Sequence, residues 1–528
     1  MKKAKYSEYI SHLAPAIGYG LLCGAVTGCA IFFFKLLAKY AEKASRHIYT
    51  IAKTSPIYIA AVFAALVGFA FLMILLHRLI PESKGGGIPR SEGVLRGVLS
   101  FRWLRTLVGT FIGSMISFFC GVPLGSEGPA VLIGTSLGAM TASPSKNRPA
   151  WERYVMTGGA GAGFAVATGS PVAGILFALE EIHKRFTPML VIAVSVSVIS
   201  ATAVNKLLSG LFGVSASLFE FTDLPDFEMK HIGYLLLLGV IVALLVGLFD
   251  TSISVWSKFI GNVLKKYDDQ IKAVFIFILT GVMGFLLTDG IYSGHDVIHH
   301  ISEHPPAFYM LVLLFVIRLV MMLLITDSGV TGGIFIPTLA IGALASAIAA
   351  KLLVVLGMSA ELVPTVTILG MCAFIGGTLR APITATVLFV ELTGQYNDLF
   401  FVALVIFTVS AITELLARTP FYDTALETIE HAQNKGKAPE IALFEVRVSN
   451  GAFVVGKTVR DVMWPSSSVV VSISHEESAE RDSDNDGEKR LYAGDTLVMR
   501  ARFFDENELK RILKGLVGNE YEITRKEI

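Results

Sequence analysis

The strongest constraint on the fold of this chain is a series of apolar segments that recurs between residues 13 and 417. A helix that spans a bilayer needs about 20 apolar residues. Segments 129–141 and 171–182 are shorter than this and begin beside glycine or proline. Within lipid, such interruptions are tolerated only where their backbone faces protein or a wet cavity. The pattern therefore predicts an all-α polytopic membrane protein that contains broken half-helices.

The composition agrees with a chain in lipid, since 53% of the 528 residues are hydrophobic and only 16% are charged. The formal net charge of +1 gives no reason to expect a nucleic-acid partner. The four cysteines lack metal-ligand spacing, so we expect no metal or other cofactor. Lys2, Lys3 and Lys5 favour a cytoplasmic N-terminus. We predict a multi-pass protein of the cell (plasma) membrane with both termini in the cytoplasm.

An internal repeat divides the apolar region into two halves. Residues 125–134 align with residues 333–342, and the offset is 208. The resulting halves cover about 13–210 and 230–420, with the hydrophilic stretch 214–230 as the joint. In transporters, short helices at corresponding places of two repeats indicate a binding site between them.

A second match supports the duplication. Pro171 is followed by Glu180, and Pro382 is followed by Glu391, in each case nine positions later and at an offset of 211. Because Glu180 has this counterpart in Glu391, we interpret Glu180 as an architectural residue.

Three glycine-rich breaks precede predicted helices, at residues 85–89 (GGGIP), 125–129 (GSEGP) and 333–337 (GIFIP). The N-terminus of a helix offers unpaired N–H groups and a positive dipole end, which suit an anion. Proline in a first helical turn costs nothing there, because its missing N–H would be unpaired anyway. These breaks indicate a site for an anion that has left water.

The three breaks resemble, in family order, the GSGIP, G(K/R)EGP and GxFxP motifs of the CLC family of chloride channels and transporters. The resemblance covers roughly residues 15–422. It implies the inverted-repeat CLC fold and secondary active transport of chloride or a similar small anion in exchange for protons. It also implies a homodimer in which each subunit has its own pathway and holds bound chloride ions.

The resemblance assigns anion-binding roles to Gly86 in the first motif, to the backbone N–H groups of Ile334 and Phe335, and to the hydroxyl of Tyr422. It makes Glu127 the gating glutamate, which competes with the anion when ionised and leaves when protonated. From the residues alone, a carboxylate within the bilayer is costly and usually has a function or a partner. The alternative is a carboxylate stabilised by a helix dipole.

Glu181 matches the internal proton glutamate of the exchangers, a position where channel members often carry an apolar residue. Proton exchange needs such a second relay on the cytoplasmic side. The alternative is that Glu180 and Glu181 lie at a helix end beside Lys184 and Arg185, in a pattern typical of the membrane interface.

The sequence departs from the family at two motif positions. Gly86 stands where the family usually has serine, and a hydrogen bond to a charged group is worth about 1.5–3 kcal/mol. An altered preference among nitrate, bromide and fluoride is therefore an alternative, as is a passive gated anion channel. Ser126 replaces the common Lys or Arg beside Glu127.

The tail after Tyr422 is charged, with a predicted linker at 423–438 and a domain at 439–528. Four strands are expected, followed by a helix that begins after Asp505: 441–448, 454–459, 468–473 and 496–503. The tail resembles TrkA-C or RCK-C modules at 456–461 and 493–497. That resemblance implies a small cytoplasmic α+β regulatory domain that dimerises or binds an unidentified small ligand. No constellation typical of an enzyme occurs.

Overall fold

The computed structural model describes the residues in the following ranges: 2–143, 148–219, 221, 224–263, 269–303, 305–416, 419–434, 438–465, 468–475, 481–482 and 487–526. Among the described residues up to 433, the regular elements are helices, which loops and short helical turns connect. The helices are α1 (Lys2–Ala52), α2 (Pro56–Leu79), α3 (Ile88–Arg96), α4 (Trp103–Cys120), α5 (Glu127–Ala142), α6 (Arg148–Thr168), α7 (Pro171–Phe177), α8 (Pro188–Phe212), α9 (Ile232–Val263), α10 (Asp269–Leu286), α11 (His295–Glu303), α12 (Phe308–Ser328), α13 (Phe335–Val355), α14 (Val363–Leu379), α15 (Pro382–Thr393), α16 (Leu399–Leu415) and α17 (Phe421–Gln433).

Eight helices in the described part of the chain are long and apolar enough to cross a membrane. Three further apolar helices are shorter, and they include α15 and α16. The predicted half-helices are confirmed, since α5 is 16 residues long and α7 only seven, extended by a π-helical turn over Ala178–Ile182. The helices α13 and α14 are buried along nearly their whole length. The half-helix α5 is likewise buried along nearly its whole length, so its two ends are kept from lipid.

The two halves are joined by a reciprocal pair of helix caps. The carboxylate of Glu180, after α7, accepts hydrogen bonds from the backbone N–H groups of Ile383 (3.1 Å) and Thr384 (2.7 Å) at the start of α15. The carboxylate of Glu391, near the end of α15, accepts from Val172 and Ala173 at the start of α7, both at 2.8 Å. A carboxylate at a helix N-terminus satisfies unpaired N–H groups and the dipole together. The architectural interpretation of Glu180 is confirmed.

Replacing Glu391 by glutamine is expected to lower the stability of this junction. The amide keeps one acceptor but turns an NH₂ group toward the second N–H, so that one charge-assisted bond is lost at a cost of about 1.5–3 kcal/mol. Thermal unfolding of the purified protein should shift downward. The exposed Glu427→Gln, on α17, is the control and should melt like the wild type. Equal melting of both variants would contradict the capping role.

The C-terminal residues form a small α+β unit. Its antiparallel sheet has the strand order β3-β2-β4-β1-β5. The elements are β1 (Glu440–Arg447), β2 (Ser468–Ser474), β3 (Arg481–Asp482), β4 (Thr496–Phe503), α18 (Glu506–Val517) and β5 (Thr524–Lys526). Asp505 caps α18 as its position predicts, and its side chain accepts from Asn507 N and Glu508 N.

The predicted strand at 454–459 is wrong. These residues form turns, with Gly456 at a φ of +79°, and only Thr458 makes an isolated β-bridge. The amide of Lys457 donates back to Val454 O, whereas strand amides would point to a neighbouring strand. The run is rich in β-branched residues, which predicted a strand, but the left-handed glycine reverses the chain. In addition, α17 covers much of the stretch predicted as the linker at 423–438.

The C-terminal unit docks on α6 through the partly buried guanidinium of Arg153. The Arg153 side chain donates to Leu95 O on α3 (2.8 Å) and to Met463 O (3.1 Å) and Trp464 O (2.9 Å) in the C-terminal unit. The hydroxyl of Tyr154 donates to Asp461 O at 3.1 Å. The helix that follows the first glycine-rich break is therefore hydrogen-bonded to the same side chain as the C-terminal unit.

Candidate functional site

The second and third glycine-rich breaks meet at the centre of the helical region. Gly125 N donates to Gly333 O at 2.6 Å and Gly333 N donates to Gly125 O at 2.7 Å, so that the two glycines form an antiparallel bridge. These two glycines are the aligned positions of the internal repeat. The contact explains the glycine at position 333, since a Cβ there would lie 2.7 Å from Gly128 N and 2.8 Å from Gly125 O. The helices α5 and α13 begin on either side of this bridge.

The first break joins the same cluster. Gly85 N donates to Gly329 O at 3.0 Å, and Gly332 N donates to Gly85 O at 3.3 Å. A Cβ on Gly128 would lie 1.9 Å from Gly86 O. Real side chains do not come so close, so the backbone of the second break packs directly on the backbone of the first. Three regions far apart in sequence therefore bring the N-termini of α3, α5 and α13 together.

The predicted anion ligands occupy the start of α13 and of α17. Ile334 is the N-cap of α13 and Phe335 is its first residue, so that their N–H groups belong to the set without intrahelical partners. The Phe335 ring packs edge-on against Phe164 at 5.0 Å. Tyr422, in the first turn of α17, is 1% exposed and belongs to the same hydrophobic cluster as Ile334 and Phe335. It lies within electrostatic range of Glu127 and Glu181.

Glu127 is the first residue of α5, and its side chain is 1% exposed. The Ser126 hydroxyl donates to Glu127 Oε1 at 2.9 Å. Oε2 is buried and has no hydrogen-bond partner among the residues that the structure describes. A carboxylate that only stabilised the helix would be expected to use both oxygens, because an unsatisfied buried oxygen costs free energy. The geometry therefore favours a side chain that exchanges partners.

Lys35 is a residue near Glu127 that the sequence analysis missed. It lies on α1, far from the motif in sequence, and its ammonium donates to Val166 O at 2.7 Å. Lys35 acts electrostatically on the Glu127 carboxylate. A charged lysine within a strongly apolar helix was the available signal, since such a residue inside a membrane usually faces a functional site.

Glu181 lies in the π-helical turn that follows α7 and is 1% exposed. Its Oε1 has no hydrogen-bond partner within the described part of the chain. The neighbouring Glu180 is occupied as a helix cap, so the two adjacent carboxylates have separate roles. The interface interpretation does not fit Glu181, because its side chain is buried and does not extend to a surface.

A group of charged side chains acts electrostatically on Glu181, and the sequence analysis had named only Lys184 among them. Lys184 lies 2.9 Å from Asp423 and 3.5 Å from Glu92, and Arg96 lies 2.8 Å from Glu92. The side chain of Glu92 is fully buried, whereas Lys184 and Arg96 are both more than one third exposed. The group extends from the buried Glu92 to a charged surface that water can reach.

A cavity of about 1200 Å³ opens onto the first and third glycine-rich breaks, on a path separate from the charged group near Glu181. Its lining includes Gly85, Gly86 and Ile334 and also Ala432 and Gln433 at the end of α17. Among the described residues, Glu181 does not line it. Its charged lining comprises five basic side chains and two acidic ones: Arg78, Lys84, Arg90, Arg102, Lys272, Glu82 and Asp327. The excess of positive charge favours anions in this cavity.

Interrupted helices that meet inside a polytopic helical protein, with buried carboxylates beside them, define a membrane transport protein of the ion-translocating class. Residues 68–414 match the sequence profile described as "Voltage gated chloride channel". The chain belongs to this family, which is the CLC family, and it is a multi-pass membrane protein.

Known proteins similar to this chain agree with that assignment. The H(+)/Cl(-) exchange transporter ClcA of Salmonella paratyphi B is 31% identical over 377 residues, which cover 70% of this chain and 78% of the relative. The crystal structure of a slow cyanobacterial Cl⁻/H⁺ antiporter has a TM-score of 0.72 and 25% identity, covering 79% of this chain and 99% of the other. A eukaryotic CLC transporter shares the fold, with a TM-score of 0.65 and 18% identity over 80% of this chain and 74% of its own.

Proposed function

We propose that this protein exchanges chloride or a similar small anion for protons across the membrane. The observation that carries the proposal is the convergence of three glycine-rich helix starts beside Glu127, whose Oε2 is buried and unpaired among the described residues. Backbone N–H groups attract an anion without binding it as tightly as a full positive charge would. Glu127 is the gating glutamate, and Gly86, Ile334, Phe335 and Tyr422 bind the anion.

Coupling to protons requires that the carboxylate and the anion use the same place at different times. Ionised Glu127 competes with the anion for the N–H donors, and protonated Glu127 releases them. Glu181 passes the proton toward the side of the membrane that carries Lys184 and Asp423. The cavity lined by Gly86 and Ile334 serves the anion instead. Separate inner routes allow the two ions to move in opposite directions.

The proposal is tested with purified protein in lipid vesicles. A chloride gradient imposed across the vesicles should drive protons uphill, detected as a pH change that a proton ionophore collapses. The names of the similar proteins, an H(+)/Cl(-) exchange transporter and a Cl⁻/H⁺ antiporter, support this expectation. Chloride flux without proton movement would reject exchange and indicate a passive channel.

The remaining assignments extend the same proposal. The protein acts in the plasma membrane as a homodimer, with both termini in the cytoplasm, and it carries bound chloride but no cofactor. The predicted division into residues 1–422 and 439–528 assigns the C-terminal unit a regulatory role of the TrkA-C or RCK-C kind, with an unidentified small ligand. The bonds from Arg153 to α3 and to the C-terminal unit support such a role.

Restoring a hydroxyl at the first motif is expected to tighten chloride binding. A Cβ on Gly86 would meet no described atom closer than 3.7 Å, so Gly86→Ser fits. One added hydrogen bond to an anion is worth about 1.5–3 kcal/mol, or roughly a tenfold or greater gain in affinity. Titration calorimetry with sodium chloride measures the chloride affinity of the wild type and of Gly86→Ser.

The neighbouring glycine provides a contrast for Gly86→Ser. Gly87 has a φ of +82° and a Cβ there would lie 2.3 Å from Gly128 O, so Gly87→Ser should disrupt the site. Unchanged chloride affinity in a folded Gly86→Ser protein would exclude Gly86 from the anion site.

A further inference from the structure

The side chain of Arg90 is placed where a cation is unfavourable on its own. Arg90 is the third residue of α3, in the first turn after the Gly85–Gly87 break. Positive charge near a helix N-terminus is repelled by the dipole. Arg90 is also 7% exposed, so water screens its guanidinium poorly. Nothing in the fold of α3 itself explains an arginine at this position.

The guanidinium is incompletely paired. Arg90 Nε has no hydrogen-bond partner in the ranges that the structure describes. Glu82 is the carboxylate that acts on Arg90 electrostatically. However, Glu82 Oε1 accepts from Arg102 Nε at 3.3 Å, and Glu82 Oε2 has no hydrogen-bond partner among the described residues, so neither oxygen pairs with Arg90 Nε. A buried guanidinium with an unpaired donor is costly unless an anion joins it.

The space beside Arg90 is open to such an anion. Arg90 lines the cavity of about 1200 Å³ together with Gly86, Pro89 and Ile334. The absence of a side chain at Gly86 widens this end of the cavity, since a Cβ there would have only Gly332 O and the Ile334 side chain within 4 Å. The positive end of the α3 dipole, the unpaired Nε of Arg90 and the open cavity therefore lie at the same place.

We propose that Arg90 forms an anion subsite in this cavity that prefers planar, oxygen-bearing anions, the class of nitrate and small carboxylates. The subsite rests on the proposed anion transport and adds to it a side-chain site separate from the backbone donors of α13. A guanidinium presents parallel N–H groups in a fixed fork, which matches two oxygens of a planar anion. A spherical halide accepts from the same fork without that geometric match. The subsite therefore selects anions by shape before they reach Ile334 and Phe335.

Equilibrium binding to the full-length protein in detergent tests the subsite. Calorimetric titrations with sodium nitrate and with sodium chloride are compared for the wild type, Arg90→Gln, Arg90→Lys and Arg78→Gln. Arg78 is an exposed residue that lines the same cavity, so its variant removes the same charge from the cavity wall. We expect Arg90→Gln to weaken nitrate binding by about tenfold or more, a larger loss than for chloride. Arg78→Gln should weaken both anions equally and by much less, because water and salt screen its exposed charge.

The Arg90→Lys variant distinguishes the effect of the planar guanidinium from the effect of its positive charge. Lysine keeps the charge but offers no planar fork, so the ratio of nitrate to chloride affinity should fall while chloride binding stays near that of the wild type. An unchanged ratio would overturn the proposal, as would equal losses for both anions in Arg90→Gln or equal effects of Arg90→Gln and Arg78→Gln. If Arg90→Gln fails to elute as folded protein, Arg90→Lys decides alone.

The binding test of the Arg90 subsite is independent of the vesicle test of ion exchange. Binding in micelles needs no gradient, whereas exchange is measured as proton pumping by the wild type in vesicles. Normal pumping with binding that ignores Arg90 would remove the subsite only. Arg90-dependent nitrate binding without pumping would remove the exchange mechanism only.

Discussion

Vesicles that contain Glu127→Gln protein should show no chloride-driven proton uptake, while chloride continues to cross. Glutamine has nearly the shape of protonated glutamate, but it cannot take up or release a proton, and its neutral amide competes weakly for the N–H donors at α13. Loss of a positioned proton-transfer group typically costs about 10²–10⁴-fold. Proton flux should fall by at least the lower figure. The measurement is simultaneous recording of vesicle pH and chloride.

The control for Glu127→Gln is Glu361→Gln, an exposed carboxylate in a short 3₁₀ turn before α14. It should leave both fluxes unchanged. If Glu127→Gln retained proton pumping at the wild-type rate, the gate would have to lie elsewhere. The unpaired Oε2 of Glu127 would then have no role in transport.

Glu181→Gln is expected to uncouple proton flux from chloride flux in a different way from Glu127→Gln. Because Glu181 is buried beside the group that contains Lys184, Glu92 and Asp423, its replacement should cut the inner proton route. Glu127 would remain able to protonate from the other side. Proton flux should again fall by about 10²-fold or more, but chloride flux should keep the dependence on external pH that Glu127→Gln loses.

The comparison for Glu181→Gln is the exposed Glu427→Gln on α17, which retains the buried relay and should pump normally. Neighbouring Glu180 is unsuitable as a control, because its carboxylate caps α15. A Glu181→Gln protein that pumped protons normally would show that protons reach Glu127 by another path. Glu92, whose Oε2 is buried without a partner among the described residues, would be the next carboxylate to replace.

Local patterns in the sequence were sufficient for the broken helices and the three breaks. Interrupted apolar segments are visible without tertiary contacts, because bilayer thickness sets the length that a spanning helix needs. The repeat likewise predicted that Glu180 and Glu391 have equivalent positions. The strand predicted at 454–459 is wrong because a run rich in β-branched residues does not reveal the left-handed conformation of Gly456.

Pairing across long separations was beyond the sequence. The residues around Gly125 and Gly333 do not indicate that the two glycines hydrogen-bond to each other. The neighbours of Lys35, Arg90 and Glu92 likewise come from helices that are distant in sequence. The sequence alone determined which helices are interrupted and which carboxylates accompany the breaks, since both follow from hydropathy and residue type. Only the tertiary structure decided which oxygens and nitrogens remain unpaired, because hydrogen-bond satisfaction in a buried site depends on every neighbour at once.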